Sequence, residues 1–231
     1  MKANLVIASA LMIFGGAFAA NAGLIDVAFY NSGFDSPYAA PTGPDVLGMS
    51  SDVWNSIDAG TSPNPASLVD TGGNVTGASV AYTAEGGVQS LILGTQPDPN
   101  LTNNYLFSDA ADGFNAIQLL LSGLVDNGDY ELVLYVASND ANGGDRSLTG
   151  TANGVAFSAT GDPQSTFING ENVVELAVTA DGTGSISILE SNPGNSGGEI
   201  DLNGLQLENA PEPASLGLLM LGSIMGLRRR R

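Results

Sequence analysis

The middle and C-terminal parts of the chain carry short runs of β-forming residues in which apolar and polar positions alternate. Alternation with a period of two is typical of strands that bury one face. We find no helical periodicity and no internal repeat of fixed length there, so we expect an all-β fold, an antiparallel two-sheet sandwich of the jelly-roll type. The predicted strands cover residues 78–83, 90–94, 114–124, 129–138, 146–152, 155–160, 172–180, 185–191 and 199–208.

Three dipeptides lie between predicted strands, at positions expected of tight turns. They are Asn127-Gly128, Asn153-Gly154 and Asp181-Gly182. Asn, Asp and Gly tolerate the positive φ angles of two-residue hairpin turns, so each dipeptide predicts an antiparallel hairpin.

Residues 31–73 show no such alternation. They are rich in Gly, Pro, Ser, Asn and Asp, a composition typical of loops and turns. We predict a long irregular segment here, with one short helical turn over residues 51–57.

The N-terminus has the features of a secretory signal peptide. Lys2 precedes an apolar run over residues 5–19, and Ala20-Asn21-Ala22 is a small-x-small cleavage site. The run is shorter than the ~20 apolar residues that a membrane-spanning helix needs. We therefore predict a signal helix that is removed with residues 1–22.

The C-terminus also indicates targeting. As a helix, the apolar residues 215–227 would measure about 20 Å, against a hydrocarbon core of about 30 Å. Four arginines follow this run, and such a cluster stays on the cytoplasmic side of a membrane. We expect one β-sandwich domain over residues 23–209 and a sorting tail with a short apolar helix over residues 210–231.

The body between these segments is strongly acidic. It contains 23 acidic residues and one basic residue, Arg146, for a net charge of −22. Nucleic acids and anionic lipids require a positive surface, so we expect no nucleic-acid partner. The chain has no Cys and no His, which excludes disulfides, Ser-His-Asp triads and ordinary zinc sites.

The tail resembles the PEP-CTERM sorting signal of Gram-negative bacteria. The matching residues are Pro211, Glu212 and Pro213, then Ala214-Ser215, the apolar run, and the terminal Arg228, Arg229, Arg230 and Arg231. In that family an exosortase recognises the motif and removes the tail. The resemblance implies a transient exosortase partner, an inner-membrane stage before processing, and a final location at the cell surface or outside the cell.

Four segments of the body resemble the galactose-binding-like jelly rolls of surface proteins and carbohydrate-binding modules. They are LGMSSDVWNS, VDTGGNVTGASVAYT, YELVLYVAS and GGEIDLNGLQLE. The resemblance implies the sandwich fold and an association with glycans. It also implies a structural Ca²⁺ near the last strand, but it identifies no glycan-binding residue.

The loop over residues 138–147 is the densest polar segment. Asn139, Asp140, Asn142 and Asp145 provide oxygen atoms at short spacing, and oxygen is the ligand that Ca²⁺ prefers. The alternative is an acidic, solvated turn. The neighbouring Arg146 is expected to pair with a carboxylate rather than to serve a site.

Glu199 and Asp201 form a second candidate Ca²⁺ site. They lie two residues apart and therefore on one face of a predicted strand. Two like charges so close favour a counter-ion or a raised pKa of one carboxyl, and the alternative is that both face water. Paired carboxylates can also hydrolyse glycosidic bonds. This signal is not specific, because any two of the 23 acidic residues of the body would provide such a pair.

Trp54 is the candidate for stacking against a sugar ring. The alternative is that this lone Trp packs in the core of the domain. Together these observations favour an exported, exosortase-processed surface or matrix protein that is not an enzyme and associates with exopolysaccharide. The alternative function is a secreted glycan-active hydrolase that uses paired carboxylates.

Overall fold

The computed structural model describes residues 23–31, 41, 46–49, 51–84, 87–90, 99–109, 116–137, 146–161, 165–191 and 199–210. The predicted signal helix, the tail over residues 211–231 and the polar loop over residues 138–145 lie outside the described residues. Within the described ranges, no helix is long and apolar enough to cross a membrane.

The described chain consists of strands and one short helix. In chain order they are β1 (Ile25–Tyr30), β2 (Trp54–Asp58), β3 (Ala66–Val69), β4 (Val75–Ala84), β5 (Gly87–Ser90), α1 (Pro99–Thr102), β6 (Asn104–Asp109), β7 (Ala116–Ser122), β8 (Asp129–Tyr135), β9 (Leu148–Ala152), β10 (Val155–Ala159), β11 (Val173–Thr179), β12 (Ile186–Ser191), β13 (Glu199–Leu202) and β14 (Gly204–Asn209).

The strands form three sheets. The five-stranded sheet has the order β11-β8-β14-β1-β2, the six-stranded sheet β10-β9-β12-β7-β4-β3, and the three-stranded sheet β13-β6-β5. Strand pairs are antiparallel except β1 and β2, which run parallel. The chain crosses between the two large sheets at β2–β3, β7–β8, β8–β9, β10–β11 and β11–β12. The predicted all-β two-sheet sandwich is confirmed.

The main core lies between the two large sheets. Alternate residues supply it, as in β7, where Ile117, Leu119 and Leu121 are buried while Gln118 and Leu120 are exposed. Full burial of one such aliphatic side chain contributes about 1.5–3 kcal/mol. The same cluster includes Val27, Phe29, Leu132, Leu134, Leu205 and Leu207 of the five-stranded sheet.

A second apolar cluster covers the outer face of the five-stranded sheet. Trp54, Val133 and Tyr135 belong to it, and Val46 and Leu47 pack against it. This sheet is therefore buried on both faces along its centre. That burial explains why β1 is an almost continuous apolar run, IDVAFY, without the alternation that we used to predict strands.

The three turn dipeptides have different roles. Asn153-Gly154 is a tight hairpin between β9 and β10, with φ angles of 44° and 85°. Asn127-Gly128 and Asp181-Gly182 each connect the two large sheets, so the prediction of hairpins there was wrong. These two connections bond to each other, because Asn127 N donates to Asp181 O at 3.0 Å and Leu124 N donates to Gly184 O at 3.0 Å.

The segment over residues 31–73 is more regular than predicted. Residues 54–58 form β2, so the expected helical turn over residues 51–57 was wrong, and β3 was not foreseen. β2 acquires its conformation by pairing with β1, with Trp54 opposite Asp26 and Asp58 opposite Tyr30. Such non-local pairing leaves no periodic signal in a short, turn-rich sequence.

The last predicted strand is two strands in different sheets. β13 pairs with β6 in the three-stranded sheet, and β14 pairs with β1 and β8 in the five-stranded sheet. The switch occurs at the buried Asn203, whose amide donates to Thr102 O at 2.9 Å and to Asn104 O at 3.2 Å. This side chain fixes the position of the three-stranded sheet relative to the large sheets.

Candidate functional site

The structure brings Glu199 and Asp201 together with Arg146, and we call these three residues with Tyr105 the arginine cluster. Arg146 lies just before β9, Tyr105 lies on β6, and the two carboxylates lie on β13. Ile200 and Leu202 of β13 face the main core. The carboxylates therefore share the opposite face of the strand, as the sequence predicted.

Arg146 and Glu199 form an ion pair that is nearly excluded from water. Arg146 Nη1 donates to Glu199 Oε2 at 2.6 Å, and the two side chains are 7% and 15% exposed. Burial by itself lowers the pKa of Arg146. The hydrogen bond to Glu199 and the charges of Glu199 and Asp201 outweigh that effect, so the pKa of Arg146 is raised and its charge is secure.

The carboxylates also act on Tyr105, which is fully buried. Burial is the largest cause of its raised pKa, and the charges of Asp201 and Glu199 raise it further. Among the described residues, the Tyr105 hydroxyl, Arg146 Nε and Glu199 Oε1 have no hydrogen-bond partner. The arginine cluster is thus a buried polar centre, in which one cation lies close to two carboxyl groups and one tyrosine hydroxyl.

Arg146 supplies the positive charge that the sequence led us to expect from Ca²⁺ at Glu199 and Asp201. Within the described ranges, no group of three acidic side chains lies close enough to hold a metal ion. Asn139, Asp140 and Asp145, the other candidate ligands, lie outside the described residues. Calcium binding stays a prediction for both locations.

Trp54 packs against Tyr135, with ring centroids 6.2 Å apart, and is 8% exposed. Phe167 contacts the same tyrosine edge-on at 4.9 Å. This environment matches the core-packing alternative, because stacking against a sugar requires an open ring face. Sugar stacking by Trp54 stays a prediction.

A buried polar network on the same sheet face was not foreseen. Gln206 Nε2 donates to Asp26 Oδ1 at 3.0 Å and to Leu47 O at 2.9 Å, and the Tyr135 hydroxyl donates to Gln206 Oε1 at 2.5 Å. Val46 N and Leu47 N donate to Tyr135 Oη and Gln206 Oε1. The network holds residues 46–47 against the sheet. The sequence feature that could have indicated this network is Asp26, an aspartate inside the apolar run of β1.

Among the residues that the structure describes, none on the outer face of the six-stranded sheet is charged. Its six strands contain one carboxylate, Glu190, which is fully buried on the inward side of β12. The outward residues are small, hydroxyl-bearing, amide or aliphatic. We call this surface the uncharged face; its central outward side chains are Thr83, Gln118, Leu120, Thr151, Ser187 and Leu189.

A groove of about 530 Å³ lies on the uncharged face between β4, β7 and β12. Leu120 and Leu189 are 43% and 41% exposed there, and Gln118 and Ser187 stand beside them in the strand register. Asn64 closes one side, because its side chain exchanges two hydrogen bonds with the backbone of Tyr82. The groove volume lies within the range of about 300–1,000 Å³ for ligand sites.

The opposite outer face carries acidic groups. On the five-stranded sheet, the exposed Glu131 and Glu208 stand directly opposite each other on β8 and β14. Asp129 and Glu175 are exposed on β8 and β11. The negative charge of the described strands is therefore segregated away from the uncharged face.

Residues 209–231 match the family model of the PEP-CTERM protein-sorting motif. The resemblance predicted for the tail is confirmed. This motif indicates export across the inner membrane and processing by an exosortase, with the cell surface or the extracellular space as the destination. No curated protein sequence matches the chain.

Several solved structures are similar to this fold. One is a plant complex of the peptide RALF23 with FER and LLG2, with 11% identity, a TM-score of 0.48, and coverage of 83% of this chain and 41% of that one. Another is a family 35 carbohydrate-binding module from Clostridium thermocellum, with 16% identity, a TM-score of 0.34, and coverage of 58% and 92%. A third is an exo-β-1,3-galactanase from Phanerochaete chrysosporium, with 15% identity, a TM-score of 0.33, and coverage of 61% and 32%.

This chain thus spans less than half the length of the first of these structures.

Proposed function

We propose that this chain is an extracellular matrix or surface protein that associates with exopolysaccharide by binding and not by catalysis. The observation that carries the proposal is the sorting motif over residues 209–231, which follows a β-sandwich built without cysteine. An exosortase is the transient partner, and cleavage falls at or near residues 210–213. The inner membrane holds the protein only until that cut.

The arginine cluster supports binding over hydrolysis. A hydrolase of this type needs two carboxyl groups that reach the sugar from opposite sides of the scissile bond. Glu199 is engaged by Arg146, and Asp201 is 1% exposed. These two carboxylates are therefore buried within the fold, and they do not form a pair that is open to a sugar.

Intact-mass measurement of the extracellular protein tests the sorting part of the proposal. We expect loss of residues 1–22 and of the tail when an exosortase is present, and retention of the tail in a strain that lacks it. A variant with Arg228–Arg231 replaced by Ser serves as the control, because it tests whether the four arginines hold the tail at the inner membrane. Recovery of a secreted form that still carries Arg228–Arg231 would refute exosortase processing.

Size-exclusion chromatography of the polysaccharide separates binding from catalysis. We expect the exported protein to co-elute with the extracellular polysaccharide of its source organism without shortening it. Shortening that is lost in Glu199→Gln and in Asp201→Asn would establish the hydrolase instead. Neither co-elution nor shortening would refute the association with polysaccharide.

A further inference from the structure

We propose that the uncharged face is the polysaccharide-binding surface and that it takes a neutral glycan. The inference rests on the proposed association with polysaccharide and adds the location and the chemical class of the ligand. It starts from the distribution of charge. The body carries 23 acidic residues, yet the six strands of this sheet contain only Glu190, which points inward.

The net charge of −22 decides between classes of polymer. A uronate-rich or sulfated polysaccharide would be repelled by the body as a whole, and the described residues of the uncharged face provide no cation to compensate. A neutral polymer meets no such repulsion. The acidic outer face suits a neutral polymer less well, because the polymer would have to displace water from polar side chains such as those of Glu131 and Glu208.

The side chains of the groove suit a sugar. Leu120 and Leu189 offer aliphatic surface to the C–H faces of a pyranose ring, because about two fifths of each residue stays exposed among the described residues. Gln118, Thr83 and Ser187 flank them with amide and hydroxyl groups that both donate and accept hydrogen bonds. The described residues of this face include no basic side chain to attract an anionic lipid surface, and their amide and hydroxyl groups oppose burial in one.

Native affinity electrophoresis of the exported protein tests the inference. The gels contain a neutral polymer (galactomannan, mixed-linkage β-glucan or dextran), an anionic polymer (alginate or polygalacturonate), or extracellular polysaccharide of the source organism. We expect retardation by at least one neutral polymer and none by the anionic polymers. Stronger retardation by an anionic polymer would overturn the assignment of ligand class.

Leu120→Asp places a charge in the groove, and we expect at least a tenfold weaker interaction. Gln118→Ala removes the amide and should weaken binding without adding charge. Val53→Asp is the matched control, because Val53 is 44% exposed and precedes β2 of the other sheet; it should bind like wild type. Thermal melts establish whether each variant is folded. If Leu120→Asp does not fold, Gln118→Ala still tests the groove.

The outcomes distinguish this inference from the proposed function. If both groove variants bind like wild type, the glycan site lies elsewhere, whereas the association with polysaccharide stands. If no polymer retards wild type, including the native polysaccharide, both proposals fail. If sedimentation shows self-association that Leu120→Asp abolishes and Val53→Asp does not, the uncharged face joins two copies of the chain, and the glycan assignment is wrong.

Discussion

Glu190 is a fully buried carboxyl group in the interior of the sandwich. Neither of its oxygens has a hydrogen-bond partner among the described residues, and burial raises its pKa from 4.5 to about 8. The folded protein therefore holds a proton on Glu190 at neutral pH. The unfolded chain releases that proton, because its Glu190 is solvated.

The stability contributed by neutral Glu190 should be complete below pH 4.5 and should be lost as the pH rises to about 8. Over this range the folded state binds one proton more than the unfolded state, and linkage gives a loss on the order of 5 kcal/mol. The chain has no His or Cys to titrate between pH 6 and 8.

Urea unfolding of the exported protein from pH 4.5 to 9 measures this slope. Glu190→Gln, which cannot ionise, should flatten it and should be more stable than wild type at pH 9. The same slope in both proteins would contradict the assignment to Glu190.

The ion pair of Arg146 and Glu199 makes a second prediction at this scale. Arg146→Met leaves the buried Glu199 and Asp201 side by side without their cation, so we expect a loss of about 3–5 kcal/mol at pH 7. Arg146→Met combined with Glu199→Gln should recover part of that loss. Urea unfolding measures both. A cost below about 1 kcal/mol for the single variant would show that water screens the pair as it does at a surface.

At the scale of elements, the turn sequences acquire their roles from the strands that they join. Asn153 and Asn127 both have positive φ angles, 44° and 55°. The side chain of Asn153 also makes three hydrogen bonds to the end of β11 and the start of β12: it donates to Thr179 O and Ser185 O at 2.9 Å and accepts from Ser187 N at 2.8 Å. This hairpin turn therefore links the two large sheets at one end of the sandwich.

These two asparagines provide a matched comparison. Asn153→Ala loses the preferred residue for a positive φ together with three hydrogen bonds. We expect a cost of about 4 kcal/mol, from roughly 1 kcal/mol per bond and about 1 kcal/mol for the backbone. Asn127→Ala has the same backbone strain but no comparable network among the described residues, so about 1 kcal/mol is expected. Thermal or urea unfolding of both variants gives the difference. Equal costs would mean that φ alone explains both positions.

At the scale of the whole molecule, charge is unevenly distributed. Like charges face each other across the five-stranded sheet at Glu131 and Glu208, while the six-stranded sheet exposes no carboxylate among its described residues. Mutual repulsion at a net charge of −22 destabilises the compact state. Cations should therefore stabilise this protein, either by screening or at a defined site.

Ca²⁺ should raise the melting temperature of the exported protein more than Na⁺ does at matched ionic strength. Free Ca²⁺ at 100 times its dissociation constant would add about 2.7 kcal/mol. Asp140→Ala should remove more of this increment than Asp201→Ala, because Arg146 already supplies a positive charge beside Asp201. Melts in Ca²⁺, Na⁺ and chelator make the comparison. Equal stabilisation by both cations would reduce the effect to charge screening.

The sequence by itself determined the fold class, most strands of the six-stranded sheet and the sorting tail. Strands such as β7 and β12 bury one face, so their period-two pattern is a local signal that needs no partner. The tail is recognisable because a short motif, an apolar run and terminal arginines act through their order along the chain. The same local reasoning placed Glu199 and Asp201 on one face of β13.

Only the tertiary structure decided where the strands pair and which polar groups are buried. Arg146 meets Glu199 across 53 positions of the chain, and Asp26 meets Gln206 across 180. β1 and β2 gave no alternating signal, because β1 is buried on both faces and β2 is shaped by its parallel partner. Burial and electrostatics depend on distances in space, and a local pattern of residues contains no information about partners that far away.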